Sequence, residues 1–232
     1  MQKAGIKKML QPSTGPVPRV KICGMKDMDS VLMAVRHGAD AVGFITEVPV
    51  KTHRRINRDT ARTLAASTPP FVSTVMVCMP DDLDNALELV MHVQPDAVQV
   101  HSPMSIEDLR LIKEKTSIKI IKTVHINDDT NIADTVHYIS EIKPVVDAVL
   151  LDSSVGGKSG GTGTIHDWTK SKCITENSQL PVILAGGLHY GNVTEAVRIV
   201  GPYGVDTASG AEISGKKDEA MIRLFIKHAR GQ

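Results

Sequence analysis

The sequence predicts an α/β protein closed as a single (β/α)8 TIM barrel. Short β-branched runs alternate with amphipathic segments about eight times along the 232 residues, a length at which one α/β barrel domain is common. Most of the runs hold few polar residues, as parallel strands covered on both faces do. No dinucleotide fingerprint follows the first run, which disfavours the open doubly wound sheet, the other closure this alternation allows.

The elements follow in order. Residues 1–18, with their prolines and small polar residues, read as a mobile lead-in without the apolar core of a signal peptide, and the barrel domain as 19–232. The first strand is "RVKIC", followed by a helix with Met28, Val31, Leu32 and Val35 on one face. "DAVGFI" is the second strand, and Asn57 precedes the helical segment containing Ala61 and Leu64. "VSTVMV" precedes the helical set Leu83, Ala86, Leu87 and Val90, and "DAVQV" precedes a helix started by Ser105 with Asp108 three residues on. "IKIIKTV" leads to Ile132, Val136 and Ile139. "VDAVLLD", "PVILAGG" and "GVDTAS" supply the last three strands. Helices are expected from Asn192 onward, from Ser209 onward, and through Met221, Leu224 and Phe225.

Composition narrows the function. A net charge of +1 supplies no field for nucleic acid or a membrane surface, and no apolar run approaches the roughly 18–20 residues of a membrane span. Cys23, Cys78 and Cys173 are odd in number and far apart, which fits a reducing cytoplasm. No metal-ligand spacing occurs. Nothing in the patterning speaks to oligomeric state.

Active sites of such barrels lie at the C-terminal ends of the strands, which turns the chain into a short list. Cys23 ends the first strand, Gln99 and His101 the fourth, Asp152 the sixth, Gly186 and Gly187 the seventh, and Ser209 and Gly210 the eighth. A strand-end aspartate is as easily a loop cap as an acid, but Asp152 adjoins the glycine-rich "SSVGGKSGGTG", where backbone can approach a ligand closely. Paired small-residue loops after strands seven and eight favour a phosphate group held by backbone N–H donors. After strand two, "VKTHRRI" offers an arginine suited to gripping a carboxylate. A phosphorylated small-molecule substrate follows.

In this order, "VKICG", "GADAVGFI", "KTHRRI", "DAVQVH", "LLDS" with "GGTG" and "DW", "LAGGL" with "NV", and "GVD" with "SG", "E" and "GKKD" resemble the phosphoribosylanthranilate isomerase family from about Val20 to the C-terminus. The resemblance implies a barrel without metal or organic cofactor. It implies an Amadori rearrangement of N-(5′-phosphoribosyl)anthranilate to the 1-deoxyribulose phosphate product in tryptophan biosynthesis. The family's catalytic cysteine falls on Cys23 and its catalytic aspartic acid on Asp152. Its substrate arginine falls on Arg54, with Arg55 the alternative register. His101 matches the histidine of a Gln-x-His-Gly motif that reads "QVHS" here, and Gly161 of "GGTG" joins the substrate-binding set. His166 stands where phenylalanine is customary before "DW". Asp152 would protonate the ring oxygen, and Cys23, as thiolate, would remove the proton from the second sugar carbon. Such a thiolate calls for a lowered pKa, from Lys21 or from the positive field of the barrel mouth. Two alternatives stand beside this reading, a paralogous sugar-phosphate isomerase or epimerase and a catalytically silent phosphate binder.

Overall fold

The computed structural model describes residues 17–155, 158–159 and 166–232; the expected lead-in up to residue 16 and Gly161 lie outside them. The strands are β1 (Arg19–Cys23), β2 (Ala41–Ile45), β3 (Ser73–Cys78), β4 (Ala97–Val100), β5 (Lys119–Ile126), β6 (Ala148–Val155), β7 (Lys158–Ser159), β8 (Val182–Leu184), β9 (Gly204–Thr207), β10 (Glu212–Ile213) and β11 (Lys216–Lys217). The helices are α1 (Met28–Arg36), α2 (Arg58–Ser67), α3 (Leu83–Val93), α4 (Ile106–Thr116), α5 (Ile132–Ile142), α6 (Trp168–Asn177), α7 (Val193–Val200) and α8 (Glu219–Ala229). β1 to β6 with β8 and β9 form one parallel sheet, closed by the pairing of β5 with β6. β7 pairs antiparallel with the end of β6. The predicted barrel is the observed one.

The strand period of two sorts each strand between the outer and inner layers of the barrel. On β1, Val20 and Ile22 join the core shared with the helices, which leaves Lys21 and Cys23 on the opposite, inward face. Val75, Ala97, Ile121, Ala148, Leu150 and Ala185 form a second apolar cluster inside the barrel, beneath the functional end. Helix entry is fixed by side-chain caps: Asp27, Asn57, Asp82, Ser105, Asn131, Asp167 and Asp218 each accept an N–H from the first turn that follows. Ahead of α7, Asn192 instead ties down its own loop. Its Oδ1 accepts the His189 N–H at 2.8 Å and its Nδ2 donates to the Gly187 carbonyl at 3.0 Å.

Three Asp-Ala-Val triplets mark the starts of β2, β4 and β6. In each, the aspartate just ahead of the strand accepts a backbone N–H from the preceding strand. Asp40 takes Val20 at 2.8 Å, Asp96 takes Thr74 at 2.7 Å, and Asp147 takes Ile120 at 2.9 Å. These carboxylates stitch the N-terminal floor of the barrel.

One expected helix is absent. Ser209 opens a turn leading into the hairpin of β10 and β11, and α8 begins only at Glu219. The reason is the two-residue Ser214-Gly215 connection, with φ of 50° and 75°. Successive left-handed residues close a type I′ hairpin and cannot continue a helix. The hairpin carries Glu212 and Lys217 to the mouth of the barrel.

Candidate active site

At the C-terminal end of the barrel a cavity of about 690 Å³ opens. Cys23, Gln99, His101 and Asp152 line it from strands one, four and six, Arg54 from the loop after β2, and Gly186, Gly187 and Ser209 from the loops after β8 and β9. Residues spread across the chain thus converge on one wall. Gly210 does not line the cavity. A β-carbon there would sit 2.1 Å from the Leu188 carbonyl oxygen, so this glycine serves the contact between the two loops.

Cys23 is buried at the tip of β1, directly beyond Lys21 on the same face. Gly43, its partner across the β1–β2 ladder, makes this possible. A β-carbon on Gly43 would lie 2.8 Å from the Cys23 sulfur and 3.1 Å from the Lys21 Nζ. Lys21 Nζ and Asp206 Oδ1 are 3.0 Å apart, both buried, without the angles of a full hydrogen bond. Burial pushes the Cys23 thiol upward, while the charges of Lys21 and Lys217 pull it down and Asp206 opposes them; the balance lies above the ordinary thiol. Burial also raises Asp206 against the pull of Lys21.

Asp152 is buried in β6, one residue past its last pairing with β8, with His101 Nε2 3.6 Å from its Oδ2. Behind His101 stands His125, ring centroids 5.1 Å apart, whose imidazolium is disfavoured by burial and by the charge of His101. Gln99 donates to Thr123 Oγ1 at 3.2 Å, and its buried Oε1 has no protein partner among the described residues. His166 bridges Ser153 and Ser171: its Nδ1 meets the Ser153 hydroxyl at 2.8 Å and its Nε2 the Ser171 hydroxyl. It is buried, and burial lowers its pKa. The polar replacement of an apolar ring is thus paid for by two hydrogen bonds.

Arg54 and Arg55 part ways. Arg55 is exposed and absent from the cavity wall, whereas the Arg54 guanidinium is largely covered. Arg54 donates from Nε and Nη2 to the two oxygens of Glu212 at 2.8 and 2.7 Å. Lys217 Nζ adds a third contact at 2.8 Å and His53 approaches at 3.4 Å. Burial raises the Glu212 carboxyl, but Arg54 and Lys217 outweigh it and hold it at about 2. Gly24 leaves space for the arginine stem, since a β-carbon there would fall 2.7 Å from Arg54 Cδ.

Gly186 and Gly187 are both left-handed, with φ of 84° and 65°. A β-carbon on Gly186 would meet Ser153 Oγ at 2.1 Å, so only glycine lets this loop lie on the end of β6. Among the described residues, the Gly186, Gly187 and Ser209 amides donate to no backbone carbonyl. Such a set of N–H groups at a loop mouth is suited to an anion.

Asp206, Glu212 and Lys217 lie within the motifs that carry the resemblance, but motif reading gave them no role. Alternation was the available signal for Asp206, which lies two residues beyond Gly204 on the inward face of β9 and pairs across the ladder with Lys21. Nothing local showed that the hairpin residues reach the cavity mouth.

Comparison with known proteins gives a consistent result. A family model described as N-(5'phosphoribosyl)anthranilate (PRA) isomerase matches residues 20–228. A Methanosarcina acetivorans protein named N-(5'-phosphoribosyl)anthranilate isomerase is 46% identical, covering 95% of this chain and 96% of its own. The crystal structure of phosphoribosyl anthranilate isomerase from Thermotoga maritima superposes with a TM-score of 0.80 at 35% identity, covering 93% of this chain and 100% of that one. A phosphoribosyl anthranilate isomerase in complex with reduced 1-(o-carboxyphenylamino)-1-deoxyribulose 5-phosphate gives 0.77 at 34% identity, over the same shares.

Proposed function

The chain belongs to the N-(5′-phosphoribosyl)anthranilate isomerase family, and on that premise we propose that Cys23 is the general base and Asp152 the general acid of its reaction. That reaction is the isomerisation of N-(5′-phosphoribosyl)anthranilate in tryptophan biosynthesis. The observation that carries the residue roles is the delivery of Cys23 and Asp152, from the first and sixth barrel strands, to the wall of one cavity.

The chemistry follows from the groups at hand. The Asp152 carboxyl gives its proton to the furanose ring oxygen. The C1′–O bond breaks as the anthranilate nitrogen lone pair forms a C=N bond. The Cys23 thiolate then takes the C2′ proton. The C–H electron pair becomes the C1′=C2′ bond and neutralises the nitrogen, leaving an enolamine. Loss of the C2′ hydroxyl proton and protonation at C1′ complete the ketone. The amides of Gly186, Gly187 and Ser209 hold the phosphate. Glu212 occupies the Nε–Nη2 edge of Arg54, and the guanidinium's second, Nη1–Nη2 edge meets the anthranilate carboxylate. Gln99 and His101 complete the substrate wall.

Coupled turnover of phosphoribosylanthranilate by the purified protein tests this reading. Conversion is expected in the native protein and not in Asp152→Asn. An Asp152→Asn variant with native turnover would remove the acid assignment.

A further inference from the structure

We propose that Lys21 is a positioning residue for this reaction, the buried counter-charge that stabilises the Cys23 sulfur when it becomes a thiolate, and that Asp206 is the anchor holding the ammonium in place. The inference rests on Cys23 acting as the base.

The geometry supports it in three ways. Lys21 and Cys23 are two apart on one strand and share a niche that exists because position 43 has no side chain. The sulfur and the ammonium lie within 2.8 and 3.1 Å of the same point above Gly43. Lys21 is 4% exposed, so water does not screen its charge. Its ion pair with Asp206, at 3.0 Å, is misaligned as a hydrogen bond, and Nζ has no other hydrogen-bond partner among the described residues. A buried ammonium with donors to spare next to a thiol is a partner for an anion that forms during the cycle.

Charge balance leads to the same place. The groups around Cys23 are Lys21 from β1, Asp206 from β9 and Lys217 from β11. Arg54, Glu212 and His53 form the neighbouring cluster on Lys217, and Asp152 faces Asp206 from β6. Leaving aside His53 and the acid Asp152, three cations, Lys21, Lys217 and Arg54, face two carboxylates, Asp206 and Glu212. One positive charge is left over, and a Cys23 thiolate cancels it. Asp206 therefore has two opposed effects: it fixes Lys21 in the barrel, and its own charge competes with the thiolate for that cation.

This predicts shifts of opposite sign, which a packing role would not produce. The measurement is the pH midpoint of Cys23 alkylation by iodoacetamide, followed by peptide mass spectrometry, alongside the pH dependence of kcat/KM. Lys21→Met is expected to raise the midpoint and slow capture at pH 7 by about tenfold or more, and Asp206→Asn is expected to lower it. Lys21→Met leaves a buried carboxylate unpaired and is at risk of misfolding. The double variant Lys21→Met/Asp206→Asn removes the pair as a neutral unit, and its midpoint is expected well above that of Asp206→Asn. Equal midpoints for Asp206→Asn and the double variant would overturn the proposal. Failure of the base assignment is separately visible, as native turnover in Cys23→Ser.

Discussion

The two ends of this barrel use the same kinds of groups to opposite purpose. At the floor, Asp40 and Asp147 accept strand N–H groups and are also reached by Arg19 and Arg230 in one case and Lys113 and Lys119 in the other. Burial raises both carboxyls, but the backbone donors and cations outweigh it and leave them below the usual range. At the mouth, Asp206 and Glu212 have no strand N–H donors among the described residues and are held by cations: Lys21 for one, Arg54 and Lys217 for the other. A carboxylate bonded to backbone is committed to the fold. A carboxylate held by side-chain cations organises charges that a substrate or a thiolate can then use. Carboxylate chemistry alone does not separate stability from function; the partner does.

The comparison breaks most visibly at Cys23. Cys23→Ser is expected to lower kcat by about 10²–10⁴-fold, because a hydroxyl is a far weaker base than a thiolate near neutral pH. Its Tm should stay close to native, as little volume changes. Native turnover in the folded variant would return Cys23 to a packing role.

Arg54→Ala is the next largest effect. Loss of a charged hydrogen-bonding partner costs about 1.5–3 kcal/mol, so kcat/KM should fall roughly 10- to 100-fold. Arg54→Lys should fall between that variant and the native protein, since it keeps the charge without the planar fork. Arg55→Ala should be silent, and the reverse outcome would move the carboxylate site to Arg55.

The floor supplies the opposite signature. Asp147→Ala leaves the Ile120 N–H without its acceptor and should cost about 1–3 kcal/mol. In a chain of this size that lowers Tm by several degrees, roughly 2–4 °C per kcal/mol, with kcat unchanged. A drop in kcat at unchanged Tm would erase the division between the two ends.

Acid sharpens the contrast by a smaller step. Glu212 is held at about 2 against an ordinary 4.5. Its contribution to stability is therefore complete above pH 4.5 and is lost as pH falls toward 2. Asp40 and Asp147, also depressed, act in the same direction. Glu212→Gln should flatten only part of the acid dependence of unfolding between pH 4.5 and 2. An unchanged slope would mean that its ion pairs add nothing to stability.

Much of this was legible before any coordinates. The strand runs and the positions of Cys23, Asp152, Gln99 and His101 at strand ends followed from period and length, because a barrel sends every strand's C-terminal end to the same place. What Glu212 and Lys217 do was not legible, since their position depends on a hairpin turn between Ser209 and α8 that small residues alone do not distinguish from a helix start. The packing role of Gly210 was not legible for a related reason: a glycine that admits a neighbouring loop and a glycine that admits a ligand look the same in one dimension. The Asp-Ala-Val repeat was written in the chain, but its role depends on a register between neighbouring strands that only the closed sheet defines.

Gly43 has no side chain and makes no turn. Its contribution is an absence, a space about the size of one methyl that lets a sulfur and an ammonium sit side by side. Substituting alanine there would leave every ionisable group in the chain untouched and still drive a wedge between the two. For anyone re-engineering this catalyst, the vulnerable specification at that position is a vacancy, and a search restricted to reactive side chains would pass over it.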